Sequence, residues 1–435
     1  SAVNVWCIEQ LLQIIADTFP SFADRGNEKV IKGEEKAEVK IDADGPASVF
    51  VFKTIADPFV GKMSFFKVMS GTLSNDLSLR NVTTGVNEKF GHIYTIRGKK
   101  QTEVDSLCCG DIGVTTKLVN TNTNDTLTAS SSDEMYAKIV YPEPFLTMAV
   151  TPKAKGDEDK ISTGITRLLE EDYTIKFENS VETKQLLVSG LGDIHLDVFT
   201  SKLKSRYNVA VDLNKPKIAY RETIKKTVQA EGKHKKQTGG HGQYGHVRIT
   251  FGPGEAEGLT FTESVVGGVV PKGFFPAVEK GLLEAMQKGV LAGFPVVHLA
   301  ANLYDGSYHD VDSSEMAFKL AASLAYKDGL PRANPVILEP VGELKVFVPD
   351  SLVGDVIGDL NKRRGRVLGM TAHESKKGYQ VVEAEVPKAE MLDYTIVLRA
   401  MTQGKGWFTF RFARYEECPA AVAQKVIADA KLEAE

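Results

Sequence analysis

The sequence predicts a multidomain α+β protein: an antiparallel β-barrel, then two split βαβ modules that flank an elongated α/β unit. Three observations carry this reading. At 435 residues the chain exceeds one ordinary domain of roughly 100–200 residues and points to about three or four units. Between about residues 30 and 135 the apolar pattern alternates with period two and no helical period is present. Beyond that, the order β-α-β-β-α-β occurs twice, on either side of a segment with a pattern of its own.

Composition narrows the class. With 42% hydrophobic and 25% charged residues the chain reads as globular, and no apolar run approaches the roughly 20 residues needed to cross a bilayer. Its opening stretch, SAVNVWCIEQLLQIIADTFP, has neither a basic leader nor a small-residue cleavage site, so it does not read as a secretory signal. Cys7, Cys108, Cys109 and Cys418 form no CxxC pair, which argues against zinc and against a disulfide framework. The expectation is four reduced thiols in a cytoplasmic protein.

Residues 4–19 place Val5, Ile8, Leu11, Leu12 and Ile15 at helical spacing and stop at Phe19-Pro20-Ser21, so residues 1–27 form a terminal helix and linker. The barrel occupies 28–136, where EKAEVKID, SVFVFKTI, KMSFFKVM and DIGVTTKL are separated by turn signals such as DADG and SGTLSND. Within it, NTNTNDTLTASSSD (120–133) reads as an exposed polar connection. The first split βαβ module is 137–213, with Ile161, Ile165, Leu168 and Leu169 on one helix face and Leu196, Phe199 and Leu203 on the other helix. The second is 341–420, with Val353, Ile357 and Leu360, then Met391, Tyr394 and Leu398, followed by a helix over 421–435. RNA-recognition domains share this element order, but neither copy carries their basic-aromatic strand motif, which argues against a stacking platform of that type.

Between the modules, 214–340 holds a helix at about 274–289 with Val278, Leu282, Leu283 and Met286 inward. A strand follows, and then a second helix within DSSEMAFKLAASLAYKDG. There Asp312 caps, Glu315 completes the capping box, Met316, Leu320 and Leu324 form the buried face, and Gly329 and Pro331 end the helix.

The same segment opens with KHKKQTGGHGQYGHVRITFGP (233–253). The chain carries a formal charge of -4, yet Lys225, Lys226, Lys233, Lys235, Lys236 and Arg248 cluster here with Glu231 opposing them. Such a cluster binds phosphate, or it is a solvated edge whose lysines deter strand addition. Strands lie on both sides of the glycines, so they form a hairpin tip rather than a nucleotide fingerprint, which must open a helix. Glycine permits close backbone approach, while Gln243 and Tyr244 offer an amide and a stacking face. No GxxxxGK[ST] phosphate loop occurs. His234, His241, His246 and His309 lack a cysteine or HxxxH partner, and no nucleophile context such as GxSxG is present, so neither a metal site nor catalysis is expected.

TGGHGQYGHV, VPKGFFPAVEKGLLEAMQKGVLAGFPV, YDGSYHDVDSSEMAFK and GDVIGDLNKRRGRVLGM, in that order, resemble the C-terminal half of elongation factor G, a translational GTPase family. GLGDIHLDV before them and EVPKAEML and TQGKGWFTF after them extend the resemblance over nearly the whole chain. It implies domains II to V: the barrel, a ferredoxin-like module, a tRNA-mimicking domain IV of the ribosomal protein S5 domain 2-like type, and a second ferredoxin-like module. Residues 1–27 would trail the GTPase domain, to which GTP and Mg2+ belong. This chain is then expected to hold no cofactor, no metal and no catalytic residue. The parent would drive GTP-dependent translocation of tRNA and messenger RNA. Its partners would be the ribosome, through 16S and 23S rRNA and the decoding centre, and the tRNA–mRNA duplex, with the protein a monomer off the membrane.

The resemblance also implies a set of RNA contacts. Gly239, Gly240, His241, Gly242, Gln243 and Tyr244 form the tip, with Gln243 at the minor groove of the codon–anticodon duplex. His309 and Asp310 lie beside it, although His309 alternatively packs at the strand–helix junction. Lys233, Lys235 and Lys236 neutralise rRNA phosphates along the stem, and Lys62 and Lys67 contact RNA backbone from the barrel. Lys362, Arg363, Arg364 and Arg366 face large-subunit RNA or form a solvated helix end. His241 stands where the family has arginine, and Pro20-Ser21-Phe22 where Pro-Ser-Pro is usual, which keeps a ribosome-protection or recycling paralogue open. The GGxGQYG and SYHDVDSSE loops favour the translocase. A small-molecule kinase sharing the domain IV fold type would need a phosphate loop leading into a helix, and here the loop joins two strands.

Overall fold

Alternating apolar residues in SVFVFKTIAD and GKMSFFKVMS build the two longest barrel strands, Ser48–Asp57 and Gly61–Ser70, which pair antiparallel. They lie near the middle of an eight-stranded sheet. Val49, Val51, Phe66, Val68, Leu79, Phe90, Ile93 and Leu127 fill its core. The computed structural model describes residues 1–57, 60–98, 100–154, 156, 158–237 and 242–434. They divide into two units, Ser1–Glu178 with Leu186–Asn214, and Asn179–Gln185 with Lys215–Glu435.

In the first unit the stretch 120–133 is not an exposed connection. Thr126–Thr128 is a strand between Ser48–Asp57 and Ser78–Asn81, and Thr121, Thr123, Asp125 and Thr126 are buried. Their polar groups are satisfied inside the protein, which is what makes burial tolerable. Asp125 Oδ2 accepts from Asn81 Nδ2 at 2.9 Å and from the Asn122 amide at 2.8 Å. The Thr54 and Thr123 hydroxyls lie 2.9 Å apart, and Glu88 Oε1 accepts the Asn120 amide at 2.5 Å.

Helix α1 (Ile8–Thr18) starts later than the apolar spacing suggests and buries none of its residues. The first split βαβ module has the strand order Lys176–Ser180, Gln185–Gly190, Leu146–Pro152, Val211–Asn214. Its helices α2 (Glu158–Glu171) and α3 (Asp193–Tyr207) bury Ile161, Ile165, Leu168, Leu196, Phe199 and Leu203 as the periodicity requires, with Leu169 half-buried. His195, in the first turn of α3, ties the module together: Nδ1 accepts the Leu191 amide at 3.1 Å, and Nε2 lies 2.9 Å from Asp172 Oδ2.

The second unit is organised by a four-stranded sheet. Val228–Lys236, Gln243–Pro253 and Leu299–Ser307 run antiparallel in that order, and Leu259–Glu263 joins parallel at the far edge. Helix α4 (Phe275–Ala285) is shorter than its sequence pattern, burying Val278 and Leu282, with Met286 buried just beyond it and Leu283 turned outward. Helix α5 (Glu315–Gly329) reverses the expected face. Met316, Leu320 and Leu324 are 56%, 38% and 40% exposed, while Ala317, Phe318, Ala321, Ala322, Ala325 and Tyr326 are buried. The cause lies in the strands beneath it. A Cβ at Gly232 would stand 2.0 Å from the Ala321 carbonyl oxygen, and one at Gly245 would stand 2.5 Å from that of Ala317. At these two crossings the helix backbone rests almost directly on the sheet, and a side chain on either strand residue would collide with it. Ser314, not Asp312, is the N-cap, its hydroxyl accepting the Ala317 amide at 3.3 Å; Glu315 is the first helical residue, so no capping box forms.

The adjoining module has the order Trp407–Glu417, Pro335–Pro349, Tyr379–Pro387, Arg366–Ala372. Helices α6 (Val353–Lys362) and α7 (Tyr394–Thr402) bury Val356, Leu360, Tyr394 and Leu398, with Val353, Ile357 and Met391 half-buried. The long strand Pro335–Pro349 runs through the 340/341 boundary and also pairs with Arg221–Ile224. Beside it Glu222, buried, accepts the amides of Leu291, Ala292 and Phe294 at 2.8, 2.9 and 3.2 Å. Helix α8 (Ala420–Ala434) closes the chain.

Two outcomes are expected. Gly232→Ala should lower the stability of the second unit by on the order of 3 kcal/mol in chemical denaturation, whereas Gly258→Ala, with open space around its Cβ, should change little. Burial disfavours the charged form of Asp172, but hydrogen bonds from the Thr174 hydroxyl, His195 and the Thr174 amide outweigh it and hold the carboxyl below its ordinary value of 3.8. Such a group adds stability that is complete above the ordinary value and lost as the pH falls through the lowered native one. Thermal melts should therefore show the advantage of the wild type over Asp172→Asn shrinking as the pH drops below about 4. A difference constant with pH would rule the carboxylate out as its source.

Candidate nucleic-acid interface

The hairpin register sets Lys233 opposite His246, Lys235 opposite Tyr244 and Lys236 opposite Gln243. Strand alternation puts Lys233, Lys235, Tyr244 and His246 on one face and Lys236 on the other. All three lysines are exposed, and among the described residues none is ion-paired to a carboxylate. Gly239, Gly240 and His241 lie outside the described residues; Gly242, Gln243 and Tyr244 lie within them.

The loop before α5 fastens this end of the hairpin. Asp312 Oδ1 accepts the Gly242 amide at 2.8 Å, the Asp312 carbonyl accepts the Tyr244 amide at 2.8 Å, and the Ser313 hydroxyl donates to the Tyr244 carbonyl at 2.9 Å. His309 shapes the loop from within: its Nδ1 accepts the amides of Val311 and Asp312 at 3.3 and 3.2 Å, and its own amide donates to Ser313 Oγ at 2.9 Å. The ring is 56% exposed, 6.4 Å from the Tyr244 ring, and Asp310 beside it is exposed. His309 and Asp310 are thus exposed beside the start of the strand Gln243–Pro253, where Gln243 Oε1 lies 2.9 Å from His234 Nε2.

A polar row braces Tyr244 from the sheet face. Glu231 Oε1 lies 2.7 Å from His246 Nε2, His246 Nδ1 lies 2.8 Å from Ser307 Oγ, and Ser307 Oγ lies 2.7 Å from the Tyr244 hydroxyl. Sequence reasoning missed this row because its members come from three strands. It also took Asp312 for a helix cap; Asp and Ser cap equally well, so residue type alone did not separate Asp312 from Ser314 two residues on.

Comparison with known proteins now places the chain. Family models described as Elongation factor G domain 2, Elongation Factor G domain III, Elongation factor G domain IV and Elongation factor G C-terminus match residues 46–130, 141–215, 216–334 and 336–426. The chain belongs to the elongation factor G family. An "Elongation factor G-like protein" of Thermotoga maritima is 45% identical over 435 residues, which is 100% of this chain and 63% of that protein. A crystal structure of a Thermus thermophilus protein is 38% identical with a TM-score of 0.78, over 98% of this chain and 61% of that one. The chain thus spans less than two thirds of the length of either.

The other basic residues are placed differently from the hairpin lysines. Lys62 Nζ donates to Asn122 Oδ1 at 2.8 Å, and Lys67 Nζ lies 3.6 Å from the centre of the Phe22 ring. Burial lowers the pKa of both. Arg363 is bound by Asp359 at 2.8 Å and Asp393 at 2.6 Å. Arg364 makes a two-pronged contact to Glu339 at 2.6 and 2.9 Å and a third bond to Glu390 at 2.9 Å, and Arg366 pairs with Glu385. Arg363 and Arg364, half-buried, tie their module together, while Lys362 and Arg366 are exposed. Among the described residues no His, Cys, Asp and Glu converge as a metal-binding group, and no helix is long and apolar enough to cross a membrane.

Asp312→Ala removes the acceptor of the Gly242 amide while leaving the Asp312 carbonyl bond to Tyr244. Hydrogen exchange at Gly242 should accelerate on the order of tenfold, with the Phe251 amide in the same strand unchanged; unaltered exchange at Gly242 would show that Asp312 does not fasten the tip.

Proposed function

We propose that this chain is the ribosome-engaging part of a translational GTPase that moves tRNA and messenger RNA through the ribosome. The hairpin tip enters the decoding centre and meets the tRNA–mRNA duplex there. The observation that supports this most is the bonding of Asp312 and Ser313 to Gly242 and Tyr244 at the end of a stem bearing exposed Lys233, Lys235 and Lys236. A charged stem supplies salt-dependent attraction to phosphate, and a braced, uncharged tip presents an amide and ring edges to the shallow groove and 2′-hydroxyls of an RNA duplex. In this reading Gln243 contacts the duplex, His309 and Asp310 flank it, and 16S rRNA phosphates line the stem. Exposed Lys362 is left to contact 23S rRNA.

GTP with Mg2+ supplies the free energy of translocation in such factors. The residues of this chain do not fit it, since its glycine loop joins two strands and no GxxxxGK[ST] segment is present. Nucleotide hydrolysis is therefore assigned to the family's GTPase domain, which none of the four matched segments represents. The working compartment is the cytoplasm, where ribosomes are found, and the working form is a monomer.

A second reading, a recycling or ribosome-protection paralogue, draws on His241 in place of the family's arginine and on a relative described only as elongation factor G-like. Single-turnover tRNA movement by the longer protein distinguishes the two.

Co-sedimentation of this chain with ribosomes across a salt series tests the stem. Lys235→Ala/Lys236→Ala should lower the slope of log affinity against log salt by about two, and Gln243→Ala should weaken binding without altering it. An unchanged slope in the lysine variant would sink the stem as an RNA contact.

A further inference from the structure

The first unit holds a cavity of about 320 Å³ on the outer face of its barrel. Strand alternation sends Val49, Val51, Phe66 and Val68 into the barrel core and turns Phe50 and Lys67 the other way. Register then sets Phe50, Lys67 and Ile112 side by side across three strands. The neighbouring small sheet, Met135–Tyr136, Asn27–Lys32 and Glu35–Lys40 in that order, brings Glu28 and Tyr136 to the same cavity, where Phe50 meets Tyr136 edge-on at 6.4 Å. Phe52 and Met69 complete the apolar wall.

Two charges here are incompletely matched. Lys67 is half-buried, its Nζ over the Phe22 ring, with no carboxylate at ion-pairing distance among the described residues. Burial lowers its pKa, and Glu28 opposes that shift without pairing with it. Glu28, 12% exposed, bonds Arg25 Nη2 at 3.0 Å through Oε1, while its Oε2 is buried with no hydrogen-bond partner. Rotation about the terminal bond, which is broad for a carboxylate, turns either oxygen toward the cavity. An unpaired carboxylate oxygen and a half-buried ammonium are each costly beside apolar walls, and together they give one negative and one positive anchor next to three rings.

We propose that this cavity binds a free α-amino acid with an aromatic side chain, its carboxylate on Lys67, its ammonium on Glu28 and its ring among Phe50, Phe52 and Tyr136. A plain anion would leave the Glu28 oxygen unanswered, and a plain cation would meet Lys67 and Arg25 with nothing to offset them. A zwitterion answers both anchors from a single carbon, and charge-assisted hydrogen bonds of this kind are the strong ones. The rings select the side chain by apolar burial and edge-to-face contact. The site owes nothing to the hairpin, and its test needs no ribosome.

Isothermal titration calorimetry of the chain with L-phenylalanine should show saturable one-to-one binding. Hydrocinnamate, which lacks the ammonium, phenethylamine, which lacks the carboxylate, and L-alanine, which lacks the ring, should each bind at least about tenfold more weakly. Glu28→Gln should bring L-phenylalanine down to the affinity of hydrocinnamate and leave hydrocinnamate no weaker than before. Lys67→Met should do the same with phenethylamine as the reference. The analogue series on the unaltered chain decides the matter even where a variant fails to fold. Absence of a saturable heat with L-phenylalanine, hydrocinnamate or phenethylamine binding as tightly as L-phenylalanine, or a folded Glu28→Gln that keeps the full preference for the amino acid, would each overturn the assignment.

Discussion

The close seating of α5 on the hairpin strands is the constraint from which the rest of the second unit follows. Gly232 and Gly245 remove the side chains that would hold the helix off, and Ala317, Ala321 and Ala325 keep its underside thin. Because α5 lies this low, the loop that enters it is delivered onto the hairpin end, where Asp312 and Ser313 reach Gly242 and Tyr244. A larger helix face would bury more apolar area, but it would lift that loop away from the tip. Close packing here exchanges side-chain burial for placement.

Charge is divided between two uses. Arg363 and Arg364 are bound to carboxylates of their own module, and Glu222 is spent on three backbone amides. A buried or half-buried ion left without such partners is strongly destabilising, so these groups are committed to structure. Lys233, Lys235 and Lys236 are exposed and bear no carboxylate partner among the described residues, so their charge is available to phosphate. The net charge of -4 therefore says little about what the surface attracts locally. The same accounting separates the barrel lysines, which are half-buried and engaged with Asn122 and Phe22, from those on the stem.

Polar side chains also serve as interior material. The Thr and Asn run after residue 120 looks like a linker by composition, yet it supplies a sheet strand and a hydrogen-bonded network around Asp125 and Glu88. Composition reports what a segment costs to bury when unpaired, and the pairing itself comes from distant partners such as Asn81 and Thr54.

By itself the sequence determined the element order, both split βαβ modules, the helix faces at Ile161, Ile165, Leu196 and Leu398, and the hairpin with its lysines. Each of these is written in local periodicity or in contiguous motifs, and local pattern is what backbone geometry reads directly. Only the tertiary structure decided that Met316, Leu320 and Leu324 face outward, that Asp312 fastens the tip instead of capping α5, and that Arg363 and Arg364 are internally neutralised. It alone gathered Glu28, Phe50, Lys67 and Tyr136 around one cavity. In every such case the deciding partner lies far away in the chain, and a contact between residues that sequence spacing does not relate is set by packing, which no local pattern encodes.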